Sequence, residues 1–463
     1  MRVRGRLRFL VVALGAVLVT AAGVHAQTAV AAAGAAKAKK TSAKTAAPGE
    51  IAVVSPESEG FSAERLENLH RLIEDQIDQK ELAGAVTILA RHGHVVDYRT
   101  YGYKDLASQA PMTRDTIFRD YSMTKPVTGV AMMILYEQGK WQPSDPIANY
   151  IPEFKNLKVF NGFGPDGKMI LVDPDHPPTM GELMSHTAGF TYGFFGNTPV
   201  DQMYRDSHLF ESQTLEEFVG KLAKIPLLYQ PGKGWTYSVS MDVEGLIVQK
   251  LSGDSLPDFD RKHIFEPLGM KDAGFFVPED KWSRFATNYS IDAEEHLQPV
   301  QGGGGVAMRA YKEEPTMPSG GGGMVSTATD YYRFATMLLN RGELDGARIL
   351  APSTVKLMTT NHVPAELLTG KWGIGRMVMR PGFGYGFNGA VEFEPDEAGL
   401  PDGKGTYMWD GAAGTWFWVD PANDIVFVGM IQRMLGAYSP DLEFRSRAAV
   451  YGALVDPGAG DRQ

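Results

Sequence analysis

Ser122-Met123-Thr124-Lys125 is a Ser-x-x-Lys tetrad at the head of a segment whose apolar residues, Val127, Val130, Ala131, Ile134 and Leu135, have helical spacing. Pro126 fits only the first turn of such a helix, which places the tetrad at its start. A spacing of three sets the serine hydroxyl and the lysine amine on one face, about one turn apart. Serine is a weak nucleophile until a neighbour takes its proton, and a desolvated lysine has a pKa low enough to help. The positive end of the helix and its backbone N–H groups favour the oxyanion that develops in acyl transfer.

A second tetrad, Ser353-Thr354-Val355-Lys356, reads as a helix N-cap followed by a surface lysine. Two further segments favour the first. Gln230-Pro231-Gly232-Lys233-Gly234-Trp235-Thr236-Tyr237-Ser238 is rich in turn residues and delivers Tyr237 just before a helix. A buried tyrosine near a lysine serves as a phenolate or proton relay, or else as a packed aromatic. Trp409-Asp410-Gly411-Ala412-Ala413-Gly414-Thr415 sets small residues just before a strand, where close backbone approach and a strand-edge N–H can complete an oxyanion hole.

The elements that must position these groups follow from periodicity. Ser62 reads as the N-cap of a helix carrying Leu66, Leu69, Leu72, Ile73 and Ile77 on one face. Residues 85–90 and 95–101 read as strands around a His92-Gly93 turn. Segments 214–223 and 241–251 read as helices, with Gly253 as a C-terminal stop for the second. Apolar runs 415–419 and 425–431, joined by Asp420-Pro421-Ala422-Asn423-Asp424, predict a hairpin, and a last helix is expected over 440–454. Strands at both ends and helices between predict an α+β fold: one antiparallel sheet built from both termini and flanked by helices, with a mainly helical region inserted.

The order Ser-x-x-Lys, Tyr-Ser, Trp-x-Gly resembles the β-lactamase-related serine hydrolases, in particular the class C-like esterases called family VIII carboxylesterases. Phe118-Arg119-Asp120-Tyr121 through Lys125, Leu183-Met184-Ser185-His186-Thr187-Ala188-Gly189-Phe190, Pro231-Gly232 through Asp242-Val243, Ser319-Gly320-Gly321-Gly322-Gly323-Met324-Val325-Ser326-Thr327 and Gly411 through Pro421 are similar to that family as well. The likeness runs from about residue 53 to 455. It implies a β-lactamase/transpeptidase-like fold, with Ser122 acylated and Lys125 with Tyr237 as the proton-transfer pair. The backbone N–H groups of Ser122 and Ala412 would form the oxyanion hole. Tyr121, Tyr192, Trp409 and Gly411 are then expected at the substrate. Tyr192, Phe194 and Phe195 read equally as an acyl pocket or as core.

This sequence departs from class C β-lactamases at two places. Val239 stands where their Tyr-x-Asn motif has its asparagine, and Trp409-Asp410-Gly411 stands where they have Lys-Thr-Gly. Both changes remove groups suited to a β-lactam and favour small neutral esters, cleaved through an acyl-enzyme on Ser122. A carboxylate at Asp410 repels anionic substrates if it faces the groove. A β-lactamase, a D-amino acid peptidase or amidase, and an acyltransferase remain alternatives on the same scaffold, as does a catalytically silent binder of cell-wall fragments. Retention of Ser122, Lys125 and Tyr237 together argues against the silent binder.

Other signals carry less. Gly253-Asp254-Ser255-Leu256 matches the tag of the GDSL hydrolases but reads as a helix-end turn, and His186 reads as a structural, hydrogen-bonded histidine. Glycine run 302–305 reads as a flexible loop and run 320–323 as backbone packed close to the site. No His-Glu-x-x-His or similar spacing points to a metal, and no cofactor is expected.

Bulk properties bound the setting. Hydrophobic residues make up 43% of the 463, enough for a full core, and there is no cysteine, which excludes disulfides and thiol chemistry. The formal charge is −10. The first 26 residues hold four arginines and no acid, and residues 37–44 hold four lysines, so the remainder from Ala46 onward carries −18. A body this acidic suits neither nucleic acid nor anionic lipid. Arg2, Arg4, Arg6 and Arg8, the apolar stretch 9–24 and Val24-His25-Ala26 predict a cleavable signal peptide over 1–26. The expected organisation is that signal, a low-complexity linker over 27–50, a hydrolase domain over 51–456 and a tail over 457–463. The mature protein is expected in the periplasm or the medium, without stable membrane insertion, acting on a small ester or amide.

Overall fold

The computed structural model describes residues 51–292, 296–300, 311–371, 378–434 and 439–456. The expected signal peptide, linker and tail, together with glycine run 302–305, lie outside the described residues.

His92 and Gly93 both take positive φ, 51° and 77°, the backbone a two-residue hairpin turn demands. They join strands Gly84–Arg91 and His94–Asp105. The second hairpin joins Trp416–Asp420 to Ile425–Met430. Its turn is tied by the Asp420 carboxylate, which accepts the backbone N–H groups of Ala422 at 2.9 Å and Asn423 at 3.1 Å. The two hairpins meet along an antiparallel seam that pairs Ile88 with Val428, so the chain's two ends share one sheet. Among the described residues that sheet has eight strands. Beyond Trp416–Asp420 lie Thr406–Asp410, Ala390–Glu392 and Phe383–Tyr385, and beyond His94–Asp105 lies the short Ala110–Pro111.

Consecutive side chains of a strand point to opposite faces. Trp416 donates its indole N–H to Ser446 of the last helix, Ser439–Ala453, at 3.2 Å. Phe417 packs instead on Tyr331 of helix Ala328–Leu339, with ring centres 4.9 Å apart. Helices therefore cover both faces, and the central strands are buried along their whole length. Helix Ala63–Asp78 packs beside the last helix and starts at Ser62, whose hydroxyl accepts the Arg65 N–H. This is the expected α+β arrangement.

Between the sheet's halves lie Leu215–Leu222, Ser240–Ser252 and the central helix Thr124–Glu137. Every residue from Met123 to Met133 is buried, so the central helix is enclosed on all sides. Gly253 ends Ser240–Ser252 at φ 85°, and Ser255 caps the next helix by accepting the Asp258 N–H, so the GDSL-like tag is a turn between helices. One expectation needs correction. Ser353 does not cap its helix: Pro352–Met358 begins two residues earlier than that cap would allow, with Ala351 at the N-cap, because Pro352 takes the first helical position. Lys356 is exposed.

Candidate active site

Strand Ile117–Arg119 pairs antiparallel with Val325–Thr327, and this pairing brings the nucleophile loop against glycine run 320–323. Asp120 donates its N–H to the Met324 carbonyl at 3.0 Å, and its buried carboxylate accepts from the Ser326 hydroxyl at 2.8 Å. A tight turn Tyr121–Met123 follows, with Tyr121 held at φ 45°, a left-handed conformation costly for any residue with a Cβ. Of residues 121–130, Ser122 alone is not buried.

Lys125 Nζ lies 3.1 Å from Ser122 Oγ and donates to the Gly321 carbonyl at 2.7 Å. The lysine is wholly buried, and desolvation lowers its pKa to about 7, against the opposing pull of the Asp242, Asp410 and Glu244 carboxylates. Near neutrality the amine is therefore available as a base. Its Nζ stands 4.5 Å from the centre of the Tyr237 ring. The Ser122 hydroxyl is hydrogen-bonded to the Tyr237 phenol, which burial pushes well above its ordinary pKa. Tyr237 thus holds its proton. Of the two chemical roles open to it, the relay fits and the phenolate does not.

The opposite wall comes from the sheet. Gly411 N–H donates to the Thr415 carbonyl at 2.7 Å, and Gly414 N–H closes a turn onto the Gly411 carbonyl at 2.8 Å. Thr415 Oγ1 donates to the Asp120 carbonyl, docking this turn on the nucleophile loop. A Cβ at residue 411 would meet the Asp120 carbonyl oxygen at 2.3 Å, so only glycine permits the approach. Ala412 occupies the turn's second position, where an N–H is not used by the turn itself, and it is half-exposed.

The substrate-facing expectations divide. Tyr192 packs its ring 5.2 Å from Tyr237, and Phe194 and Phe195 stand 5.1 and 5.9 Å from Tyr192, themselves 57% and 38% exposed. Phe194 and Phe195 therefore stand outside the core, whereas Tyr192 is partly buried and packs on it. Beside them a cavity of about 250 Å³ is lined by Thr191, Phe195, Trp235, Tyr237 and Lys371 among others. Tyr121 and Trp409, expected at the substrate, are both buried and engaged by protein groups. Tyr121 is 3% exposed, packed with Ala413 and Met434, and its hydroxyl accepts from Asn288. Trp409 is 7% exposed and donates its indole N–H to the Tyr237 hydroxyl at 3.3 Å. Both support the reacting groups from behind.

His186 is buried, with Nδ1 2.9 Å from Ser238 Oγ and its ring 5.0 Å from that of Tyr237, and burial holds its pKa well below the usual value. It packs behind Tyr237 as a structural histidine. Three groups escaped sequence reasoning. Asp242 accepts from Ser319 Oγ at 2.5 Å and from Gly321 N–H at 3.3 Å, bracing the carbonyl that holds Lys125. Asn388 donates from Nδ2 both to the Lys125 carbonyl at 3.0 Å and to Glu244 at 2.6 Å. The signal available was two acids, Asp242 and Glu244, on a helix that is otherwise almost wholly apolar where it is buried.

Comparison with known proteins agrees with this geometry. The Beta-lactamase family model matches residues 69–451, most of the chain. The protein belongs to the β-lactamase family. Among curated relatives of this family, Protein Rv1367c of Mycobacterium tuberculosis (strain ATCC 25618 / H37Rv) is 35% identical over 394 residues, covering 82% of this chain and 92% of its own. Esterase EstB of Burkholderia gladioli is 30% identical over 398 residues, covering 83% and 94%. The solved structure of EstCE1, a hydrolase with promiscuous acyltransferase activity, superposes with a TM-score of 0.71 at 29% identity, covering 84% of this chain and 99% of that one. The β-lactamase/transpeptidase-like fold expected from the sequence is the fold of this protein.

Proposed function

We propose that this β-lactamase-family protein cleaves small acyl esters through an acyl-enzyme on Ser122. It is a serine hydrolase of the carboxylesterase type. The observation that carries the site assignment is a wholly buried Lys125, its pKa lowered to about 7, with Nζ 3.1 Å from a half-exposed serine hydroxyl. Neutral Lys125 takes the Ser122 proton as Oγ attacks the ester carbonyl, and the N–H groups of Ser122 and Ala412 receive the oxyanion. Protonated Tyr237 passes its proton to the departing alkoxide and is reprotonated from Lys125. Water, activated by the same pair, then releases the acid. The modest cavity beside Tyr237 and its aromatic wall suit a short acyl group. An acceptor alcohol taking the place of water would make the same site an acyltransferase, a reading favoured by the likeness to EstCE1. Labelling with a slow phosphonate ester, followed by peptide mass spectrometry, tests the assignment. The adduct belongs on Ser122, and an adduct on Ser255 or Ser353 overturns it.

Export to the periplasm or the medium is part of the proposal and rests on the arginine-rich leader and its Val24-His25-Ala26 site. Recovery of protein beginning at Gln27 outside the cytoplasm supports it, and retention of the leader on a cytoplasmic pool sinks it.

A further inference from the structure

The second Ser-x-x-Lys tetrad lines a cavity of its own. A groove of about 650 Å³, within the size range of small-molecule sites, opens between helices Ala328–Leu339 and Pro352–Met358 and the sheet. Its floor is apolar: Leu338, Val355, Val391, Tyr407 and Val419 are buried there, with Leu339 and Phe393 partly exposed. Its rim is cationic. Arg341, Lys356 and Lys404 all line the groove and all are exposed, and no acidic residue lines it. In a chain of net charge −10, with 55 acids against 45 bases, three cations without an acid among them is the reverse of the surrounding composition. Lys404 pairs with Glu394, whereas Arg341 and Lys356 make no ion pair among the described residues.

Nothing in this groove is arranged for catalysis. Lys356 is exposed, unlike the enclosed Lys125, and no hydrogen bond among the described residues joins it to Ser353. What an apolar floor beneath unpaired cations fits is an amphiphilic anion. We propose that this groove is a binding site for a medium-chain alkyl carboxylate. The chain lies over Leu339, Val355 and Phe393, and the carboxylate meets the Arg341 guanidinium and the Lys356 ammonium. Apolar burial supplies affinity without direction, and charge-assisted hydrogen bonds to the planar guanidinium select the anion. The site is separate from Ser122 and stands whatever reaction Ser122 performs.

The test uses the full chain with Ser122 blocked by phosphonate, so that the groove and the active site are told apart. Dodecanoate binding is followed by calorimetry below its aggregation concentration, beside dodecyltrimethylammonium as the cationic counterpart. Dodecanoate should bind with one site per chain, and the ammonium detergent should bind at least tenfold more weakly. Arg341→Glu with Lys356→Glu should weaken dodecanoate about tenfold or more while ester hydrolysis by the unblocked double variant stays near wild type. Because both side chains are exposed, a circular dichroism spectrum equal to wild type is expected for that variant. Val355→Trp, which fills the floor, is the second variant and should weaken dodecanoate without any change of charge. Equal binding of the two detergents, undiminished binding by both variants, or no binding at all to the blocked protein would each overturn the proposal.

Discussion

The Trp409 indole N–H donates to the Tyr237 hydroxyl at 3.3 Å, a contact that fixes the phenol of the proposed proton relay. With His186 and Trp235 packed against the same ring, Tyr237 is held from three sides while its hydroxyl reaches Ser122. In the proposed mechanism Lys125 and Tyr237 act as one unit. Lys125→Ala and Tyr237→Phe should each lower kcat by about 10³ or more, and the double variant should be little worse than either, since groups acting as a unit are non-additive. Fully additive losses would show that they act separately. Trp409→Phe keeps the ring and loses the donor, so kcat should fall by about tenfold with KM nearly unchanged.

Burial lowers Lys125 to about 7, and only its neutral form accepts the Ser122 proton. Activity should therefore be lost as pH falls through about 7 and reach a plateau above it. The measurement is kcat/KM for a neutral ester from pH 5 to 9, with fold monitored in parallel. A flat profile across that range removes Lys125 as the base.

Gly411 is the hinge between sheet and nucleophile. Gly411→Ala would set a Cβ 2.3 Å from the Asp120 carbonyl oxygen and 2.3 Å from Thr415 Oγ1, neither able to yield without moving the turn that presents Ala412. Overpacking of this kind costs about 1–3 kcal/mol of stability. Displacement of one oxyanion donor lowers kcat by about 10²–10³. Chemical denaturation and steady-state kinetics read the two effects, and a variant with wild-type kcat would take Ala412 out of the mechanism.

Much of this was legible because it is local. The tetrad's spacing, the His92-Gly93 turn and the strongly apolar strands 84–91 and 425–430 carry their signals within a few residues. The edge strand Phe383–Tyr385 and its neighbour Ala390–Glu392 have three residues each in a glycine-rich stretch, too short for a period of two to be seen. Asp242 and Glu244 reach Lys125 through packing of helix Ser240–Ser252 on the central helix, and Asn388 reaches it from the turn between strands Phe383–Tyr385 and Ala390–Glu392, neither of which a local pattern records. The burial of Tyr121 and Trp409 likewise depends on partners distant in sequence, Asn288 and Met434 for the first and Tyr237 and Tyr385 for the second.

Substrate class follows from the groups the groove lacks. Val239 is fully buried and offers no amide, and Trp409 has its only donor engaged by Tyr237, so neither supplies what a β-lactam's side chain and carboxylate need. Asp410 is half-exposed at the end of strand Thr406–Asp410 and interacts electrostatically with Lys125, so it presents negative charge beside the site. Burial raises its pKa while Lys125 draws it back, and a carboxylate in this place repels an anionic substrate. Loss of a charge-assisted contact and an amide hydrogen bond weakens transition-state binding by roughly 3–5 kcal/mol. That is about two to three and a half powers of ten in rate. The ratio of kcat/KM for a four-carbon acyl ester to that for a cephalosporin with a comparably reactive leaving group should therefore exceed about 10². Asp410→Asn should narrow the ratio by improving the anionic substrate more than the neutral one. Parity in the wild-type enzyme, or preference for the cephalosporin, would return this protein to the lactamase side of its family.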